Sequence, residues 1–234
     1  MFNGARQHRS KGAAPLGGRA MLTSSAWGKP PTRLYRLLGR VQARGGTKVA
    51  IIGCSDGRFV LPFARRGLEV TAIDVDPVAL WGGTKNFPDG PRHVLGLANR
   101  LRRENLEGYV DIRQMDLAHL GDDPTHDLVF TSGSLHYSRN HKVPLQHLLG
   151  RLIAQASSGG LIYIDYMLPL EPRHFSAEHY IKRGQLRQML QELGCKTIYE
   201  HYSGIILERA HVDNPADHYH SLGYLLARAP GSDA

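Results

Sequence analysis

Residues 49–59 read Val49-Ala50-Ile51-Ile52-Gly53-Cys54-Ser55-Asp56-Gly57-Arg58-Phe59. An apolar strand runs into a turn with two glycines and then into a helical stretch. Glycines let a backbone approach a ligand closely, and N–H groups at a helix start receive its polar atoms. About 20 residues on, a second apolar strand ends in Ala72-Ile73-Asp74-Val75-Asp76-Pro77, and an acid at that distance can accept both hydroxyls of a ribose. A third strand is followed by Gln114-Met115-Asp116-Leu117, whose acid is placed for an adenine amino group. Ligands of open α/β sheets bind at the carboxyl ends of the strands, so three such ends outline a nucleoside site.

The glycine spacing separates two kinds of cofactor. Dinucleotide folds use three glycines to seat a pyrophosphate on the helix start. Here Ser55 stands in the middle, and Asp56 puts negative charge where a pyrophosphate would be repelled. S-adenosyl-L-methionine (SAM) has no phosphate and tolerates that acid.

Working outward, strands and helices alternate. Strands are expected at Val49–Ile52, Val70–Ile73, Val110–Arg113, Leu128–Thr131 and Leu161–Ile164, with helices at Arg58–Arg66, Arg92–Asn105, Pro144–Ala156 and Gln185–Leu193. Apolar runs without alternation imply strands buried on both faces of a parallel sheet. Residues Trp81–Pro91, rich in Gly and Pro, read as a loop. The chain then changes character: Lys196–His211 and Asp217–Arg228 read as two long strands of an antiparallel hairpin around Asp213-Asn214-Pro215-Ala216. Before the first strand, Leu34, Leu37, Leu38 and Val41 recur at helical spacing and predict one amphipathic helix.

The chain has 234 residues, and its net charge of +8 is unevenly spread. Residues 1–48 hold ten Lys/Arg and no acid, leaving 19 Lys/Arg against 21 Asp/Glu in the rest, a net of −2. The basicity thus belongs to an N-terminal arm, readable as a solvated tail, a transit peptide or a holder of acidic substrate. The near-neutral body argues against a nucleic-acid acceptor. No apolar run approaches the roughly 18 residues of a membrane span. The arm lacks the apolar core of a secretory signal, and two cysteines suit a reducing compartment, hence the cytoplasm.

These motifs resemble the class I SAM-dependent methyltransferases over residues 47–228. Residues 49–57 match the family's first motif. Asp74 matches its ribose ligand, Asp116-Leu117 its adenine-side acid, and Asp127–Ser134 its fourth strand, whose end passes the methionine part of SAM. Gly159-Gly160-Leu161-Ile162 looks like its Gly-Gly turn into strand five. The ending (Gln185-Leu186-Arg187, Tyr199-Glu200-His201, Glu208–His211 and Leu225–Arg228) is similar to that of the small tellurite-resistance methyltransferases. The resemblance implies an α/β Rossmann-like, doubly wound, seven-stranded sheet with an antiparallel C-terminal hairpin. It divides the chain into an arm and helix over 1–46, which in this family often lies over the site as a lid, and a methyltransferase domain over 47–234. It implies SAM bound by Gly53, Cys54, Ser55, Asp56, Gly57, Asp74, Val75, Asp116, Leu117, Ser132 and Gly133. Two departures stand out: Ile51 occupies a position usually acidic, and Ser55 one usually glycine.

Catalytic candidates are His136 and Tyr137, just past strand four, and His211, expected opposite His218 in the hairpin. A histidine there can take a proton from a nitrogen, oxygen or sulfur nucleophile. The cluster His211, His218 and His220 reads as strand decoration, as substrate-facing or as a trio able to bind a metal, and no metal site is assigned. Cys54 reads as a packed small residue, while Trp27 and Trp81 either close over the cofactor or belong to the core. The expected activity is methyl transfer to a small molecule. Its alternatives are a nucleic-acid or protein methyltransferase using the basic arm, and a non-catalytic SAM-fold module. Asp74 and Asp116 weigh against the last.

Overall fold

The computed structural model describes residues 21–22, 24–137, 142–175, 179–210 and 216–231. It opens with a two-residue strand, β1 (Met21–Leu22), and the helix α1 (Thr32–Ala43). Then follow β2 (Lys48–Ile52), α2 (Val60–Ala64), β3 (Glu69–Asp74), α3 (Pro77–Trp81), β4 (Gly83–Phe87), β5 (Gly90–Val94) and α4 (Leu97–Arg103). The central run is β6 (Val110–Gln114), β7 (His126–Ser132), α5 (Leu145–Ile153) and β8 (Ala156–Met167). The chain closes with α6 (Pro172–Phe175), α7 (Gln185–Glu192), β9 (Lys196–Tyr202), β10 (Ile206–Glu208), β11 (His218–His220) and β12 (Leu222–Arg228).

Seven strands form one sheet in the order β6-β3-β2-β7-β8-β12-β9. Pairing is parallel from β6 through β8, and β12 runs antiparallel to both its neighbours. This is the doubly wound sheet with an antiparallel ending that the sequence predicts. Successive residues of a strand face opposite ways, and the two cores divide accordingly. Val49 and Ile51 of β2 join Phe130, Tyr163 and the apolar stripe Leu34, Leu37, Leu38 and Val41 of α1 on one face. Ala50 and Ile52 join Val129, Ile164 and Leu145, Leu148, Leu149 and Leu152 of α5 on the other. Both faces being covered explains why the strands show apolar runs rather than alternation. The α1 helix is therefore built into the core, each apolar side chain worth roughly 1.5–3 kcal/mol of burial.

Three expectations are corrected. Residues 83–94 are not a loop followed by a helix start: β4 and β5 form an antiparallel hairpin, and the helix begins only at Leu97. Pro88 and Asp89 connect Phe87 to its partner Gly90, a turn favoured by Pro second and Gly fourth. β1 adds to this hairpin in parallel. Strand five is longer than expected, since β8 runs from Ala156 and takes in Gly159-Gly160.

The third correction is the C-terminal hairpin, which is not one long ribbon. It breaks at Ser203 and Ser221, where the Leu222 N–H donates to Ser203 Oγ (2.8 Å) in place of a ladder carbonyl. Beyond the break, β10 and β11 pair only with each other. Their register sets Glu208, not His211, opposite His218. His211 lies outside the described residues.

Candidate functional site

The sheet order reverses between β2 and β7, and their carboxyl ends lie side by side. A crevice opens at such a switch point. Gly53 follows β2 with φ +73°, and its N–H donates to the Ile73 carbonyl (2.8 Å). A Cβ here would stand 1.8 Å from Ser134 Oγ, so β7's loop comes too close for any residue but glycine. Ser55 adopts φ +47°, left-handed backbone that glycine adopts without cost. Its N–H donates to Asp74 Oδ2 (2.7 Å), and its hydroxyl accepts from the Trp27 indole (2.8 Å).

Asp74 ends β3, and its Oδ1 accepts from the Asp76 N–H (2.9 Å). One backbone donor per oxygen pins the carboxylate while leaving each oxygen further acceptor capacity. Asp76 caps α3 through the Val78 and Ala79 N–H groups and pairs with Lys85. Burial works against that charge, but Lys85 and the two N–H donors outweigh it and hold the Asp76 carboxyl below the usual range. Asp116 likewise caps a short 3₁₀ turn, accepting from the Ala118 N–H (2.9 Å).

These groups line a cavity of about 860 Å³ that continues from the strand ends to the β10–β11 hairpin. Its wall includes Gly53, Cys54 and Ser55 from the first turn, Asp74 and Val75 from the second, and Asp116 and Leu117 from the third. Ser132 and Gly133 contribute from β7, with His136 and Tyr137 just beyond. The His136 and Tyr137 rings lie 5.1 Å apart, and Tyr180 meets His136 edge-on at 6.0 Å.

Two expected residues stand behind the wall. Asp56 is 1% exposed, and its carboxylate accepts from the Ser25 hydroxyl (2.7 Å) and the Ala26 N–H (2.6 Å), with Arg100 at 3.6 Å. A Cβ on Gly57 would press Leu97 at 2.5 Å and Leu61 at 2.7 Å. Cys54 lines the wall but is buried, and burial, with Asp74 and Asp56 behind it, pushes its thiol up, away from a reactive thiolate. Trp27 faces the cavity, while Trp81 is half-exposed and donates to Gln114 instead.

Sequence reasoning missed a charge pair in this wall, a half-buried arginine on a buried acid. Arg33 of α1 donates to the Tyr163 hydroxyl and to Asp165 Oδ2, each at 3.0 Å, and lies 4.4 Å from the Tyr224 ring centre. Asp165 also accepts from the Ser132 hydroxyl (2.9 Å). Burial raises the Asp165 carboxyl above its usual range, although Arg33 and Ser132 oppose the rise. The available signal was an acid inside the apolar run Leu161-Ile162-Tyr163-Ile164-Asp165-Tyr166.

Solved structures share this architecture. TehB from Haemophilus influenzae superposes with a TM-score of 0.60 at 14% identity, covering 83% of this chain and 61% of its own. The chain thus spans less than two thirds of that protein. A putative methyltransferase from Bacillus halodurans C-125 gives 0.61 at 14% identity, covering 86% of this chain and all of its own. Magnesium protoporphyrin IX methyltransferase from Synechocystis PCC 6803, solved with SAM bound, gives 0.52 at 17% identity, covering 84% and 77%. No curated protein sequence matches the chain. The fold is the Rossmann-like one of these methyltransferase structures, with the three acid-bearing strand ends at the carboxyl edge of its sheet. Residues 51–163, just under half of the chain, match the family described as "Methyltransferase domain", which supports a SAM-dependent methyltransferase.

Proposed function

We propose that the chain transfers the methyl group of SAM to a small-molecule acceptor bearing a nitrogen, oxygen or sulfur/chalcogen nucleophile. One observation carries the reading. A single cavity of about 860 Å³ runs from the three acid-bearing strand ends to an outer wall of histidines and aromatics. Small-ligand sites fall at roughly 300–1,000 Å³, which suits a cofactor with a compact acceptor rather than a polymer. The near-neutral body supports the same choice over a nucleic-acid or protein acceptor.

The residues fit SAM. In this reading Asp74 accepts the ribose hydroxyls and Asp116 the adenine amino group, with Val75 and Leu117 against the ring. Gly53, Cys54 and Ser55 offer close backbone, and Ser132 and Gly133 flank the methionine part. Asp56 and Gly57 act behind the turn, holding its shape. Bound SAM supplies an electrophilic sulfonium methyl. What the chain must do is align the acceptor opposite the sulfur, at about 3–3.5 Å, and keep water away. His136, with Tyr137 beside it, takes the proton of an acceptor that arrives protonated. A thiolate or chalcogenide acceptor needs no base. His211, which lies outside the described residues, is the second candidate base for a protonated acceptor. Two free, buried cysteines suit a reducing cytoplasm.

Incubation with methyl-labelled SAM and separate panels of small amines, hydroxyls, thiols and chalcogenides, RNA, and protein tests this. Label is expected in one small-molecule class. For a protonated acceptor, His136→Ala is expected to lower turnover by about 10²–10⁴ with SAM affinity unchanged. Label confined to RNA or protein overturns the reading.

A further inference from the structure

The β10–β11 ribbon brings one acid and two imidazoles to a single point. Glu208 pairs with His218 across the ladder, and His220 lies two residues further on, so all three share a face. His220 Nε2 lies 2.7 Å from Glu208 Oε2, and His218 Nε2 lies 3.8 Å from the same oxygen. The imidazoles meet edge to face with centroids 4.5 Å apart. One ligand atom from each of the three residues fits within 4.8 Å of the others, the only such group among the described residues. All three line the 860 Å³ cavity.

We propose that Glu208, His218 and His220 form a binding site for a divalent cation of the zinc class in the cavity wall. The donor set itself selects the metal. Two imidazole nitrogens and one carboxylate suit Zn²⁺ or Co²⁺, whereas Mg²⁺ and Ca²⁺ prefer all-oxygen shells. The His218 tautomer is already set for ligation. Its Nδ1 lies 2.8 Å from the Ala216 carbonyl, which can only accept, so in the neutral ring Nδ1 carries the proton and Nε2 presents a lone pair on the Glu208 side. A backbone carbonyl behind the distal ring nitrogen is the usual support of a metal-bound histidine.

The ribbon also needs a staple. β10 and β11 are three residues each and belong to no larger sheet. Such isolated pairs are marginal in water. Ile206, Leu207 and Tyr219 remain exposed there, so little apolar burial holds the ribbon. A cation bridging Glu208 with His218 and His220 ties its two strands together.

Three protein ligands leave a coordination position open, as in metal sites that bind substrate. That position opens on the cavity and selects acceptors with an oxygen, nitrogen or sulfur donor. This selection rests on the methyltransferase reading, whereas the cation site stands apart from it.

The test uses the full chain without an affinity tag, stripped with chelator. Zn²⁺ is titrated by calorimetry and Co²⁺ by its visible d–d absorption, and S-adenosylhomocysteine binding is measured separately. One cation per chain is expected, with His218→Ala/His220→Ala and Glu208→Gln each weakening it by more than the roughly 10–100-fold that loss of an outer-shell partner alone costs. No stoichiometric binding, or equal affinity in the variants, overturns the site. If the double variant misfolds, the wild type gives the same answer: Zn²⁺ must protect His218 and His220 from diethyl pyrocarbonate, and equal modification with and without Zn²⁺ overturns the site. Cation binding without S-adenosylhomocysteine binding supports the site and counts against the proposed function; the converse pattern sinks the site alone.

Discussion

The hydroxyl of Ser25 donates to the carboxylate of Asp56 at 2.7 Å, joining two buried residues 31 positions apart. The bond fastens the segment before α1 onto the turn after β2, and the Ala26 N–H and the Trp27 indole reinforce it. Asp56→Ala is expected to cost about 3 kcal/mol, the upper end for losing hydrogen bonds to a charged group. Residues 24–29 should also become open to protease. Denaturant melts and limited proteolysis read both effects. A variant as stable and as resistant as the parent would show that the arm is held by something else.

Asp165 makes stability depend on pH. Burial raises its folded pKa above the unfolded one, with Arg33 opposing. The protonated form is therefore the one folding favours. Its contribution is full below the ordinary carboxyl pKa of about 3.9 and is lost as pH rises through the raised value. Relative to wild type, Asp165→Asn should gain stability as pH climbs from about 4 toward neutrality. Arg33→Met should steepen the wild-type decline, because the remaining opposition is weaker. Thermal unfolding across that range checks the sign; parallel curves for wild type and Asp165→Asn would contradict it.

In the turn after β2, the left-handed positions Gly53 and Ser55 have opposite tolerances. Gly53→Ala must displace Ser134 and adopt φ +73°, at a cost well above the ~1 kcal/mol of an ordinary Gly-to-Ala change. Ser55→Gly relieves roughly 1–2 kcal/mol of left-handed strain but gives up an indole hydrogen bond worth about 0.5–1.5 kcal/mol. The two nearly cancel, so stability should hold while Trp27 loses its anchor and its fluorescence shifts toward that of exposed indole. A large stability loss in Ser55→Gly would place the strain elsewhere.

The parallel core was legible because Val49–Ile52, Leu128–Thr131 and Leu161–Ile164 are apolar without alternation, as double burial demands. The three acid-bearing strand ends were legible through fixed spacing. What escaped depends on tertiary neighbours. Asp56 looks like a ligand in the motif, yet the residues that claim it, Ser25 and Ala26, come from a distant segment. Arg33 reads as the solvent side of an amphipathic helix, while its partner Asp165 sits in another strand. The hairpin was expected to centre between Asn214 and Pro215, but its ladder runs in another register throughout: Tyr202 of β9 already stands opposite Gly223 of β12, and the break at Ser203 and Ser221 moves the pairing by only one residue. Glu208 replaced His211 opposite His218, and no local pattern announces a side-chain hydroxyl standing in for a ladder carbonyl.

The central claim is that this cavity holds the adenosyl cofactor through the acid at the end of β3. Calorimetric titration of wild type and Asp74→Ala with S-adenosylhomocysteine tests it most directly. The account predicts one site per chain in the wild type. Losing hydrogen bonds to a charged carboxylate, about 1.5–3 kcal/mol, should weaken binding roughly 10- to 150-fold in the variant while the protein stays folded. Absence of binding to the wild type, or equal affinity in the two proteins, would contradict it.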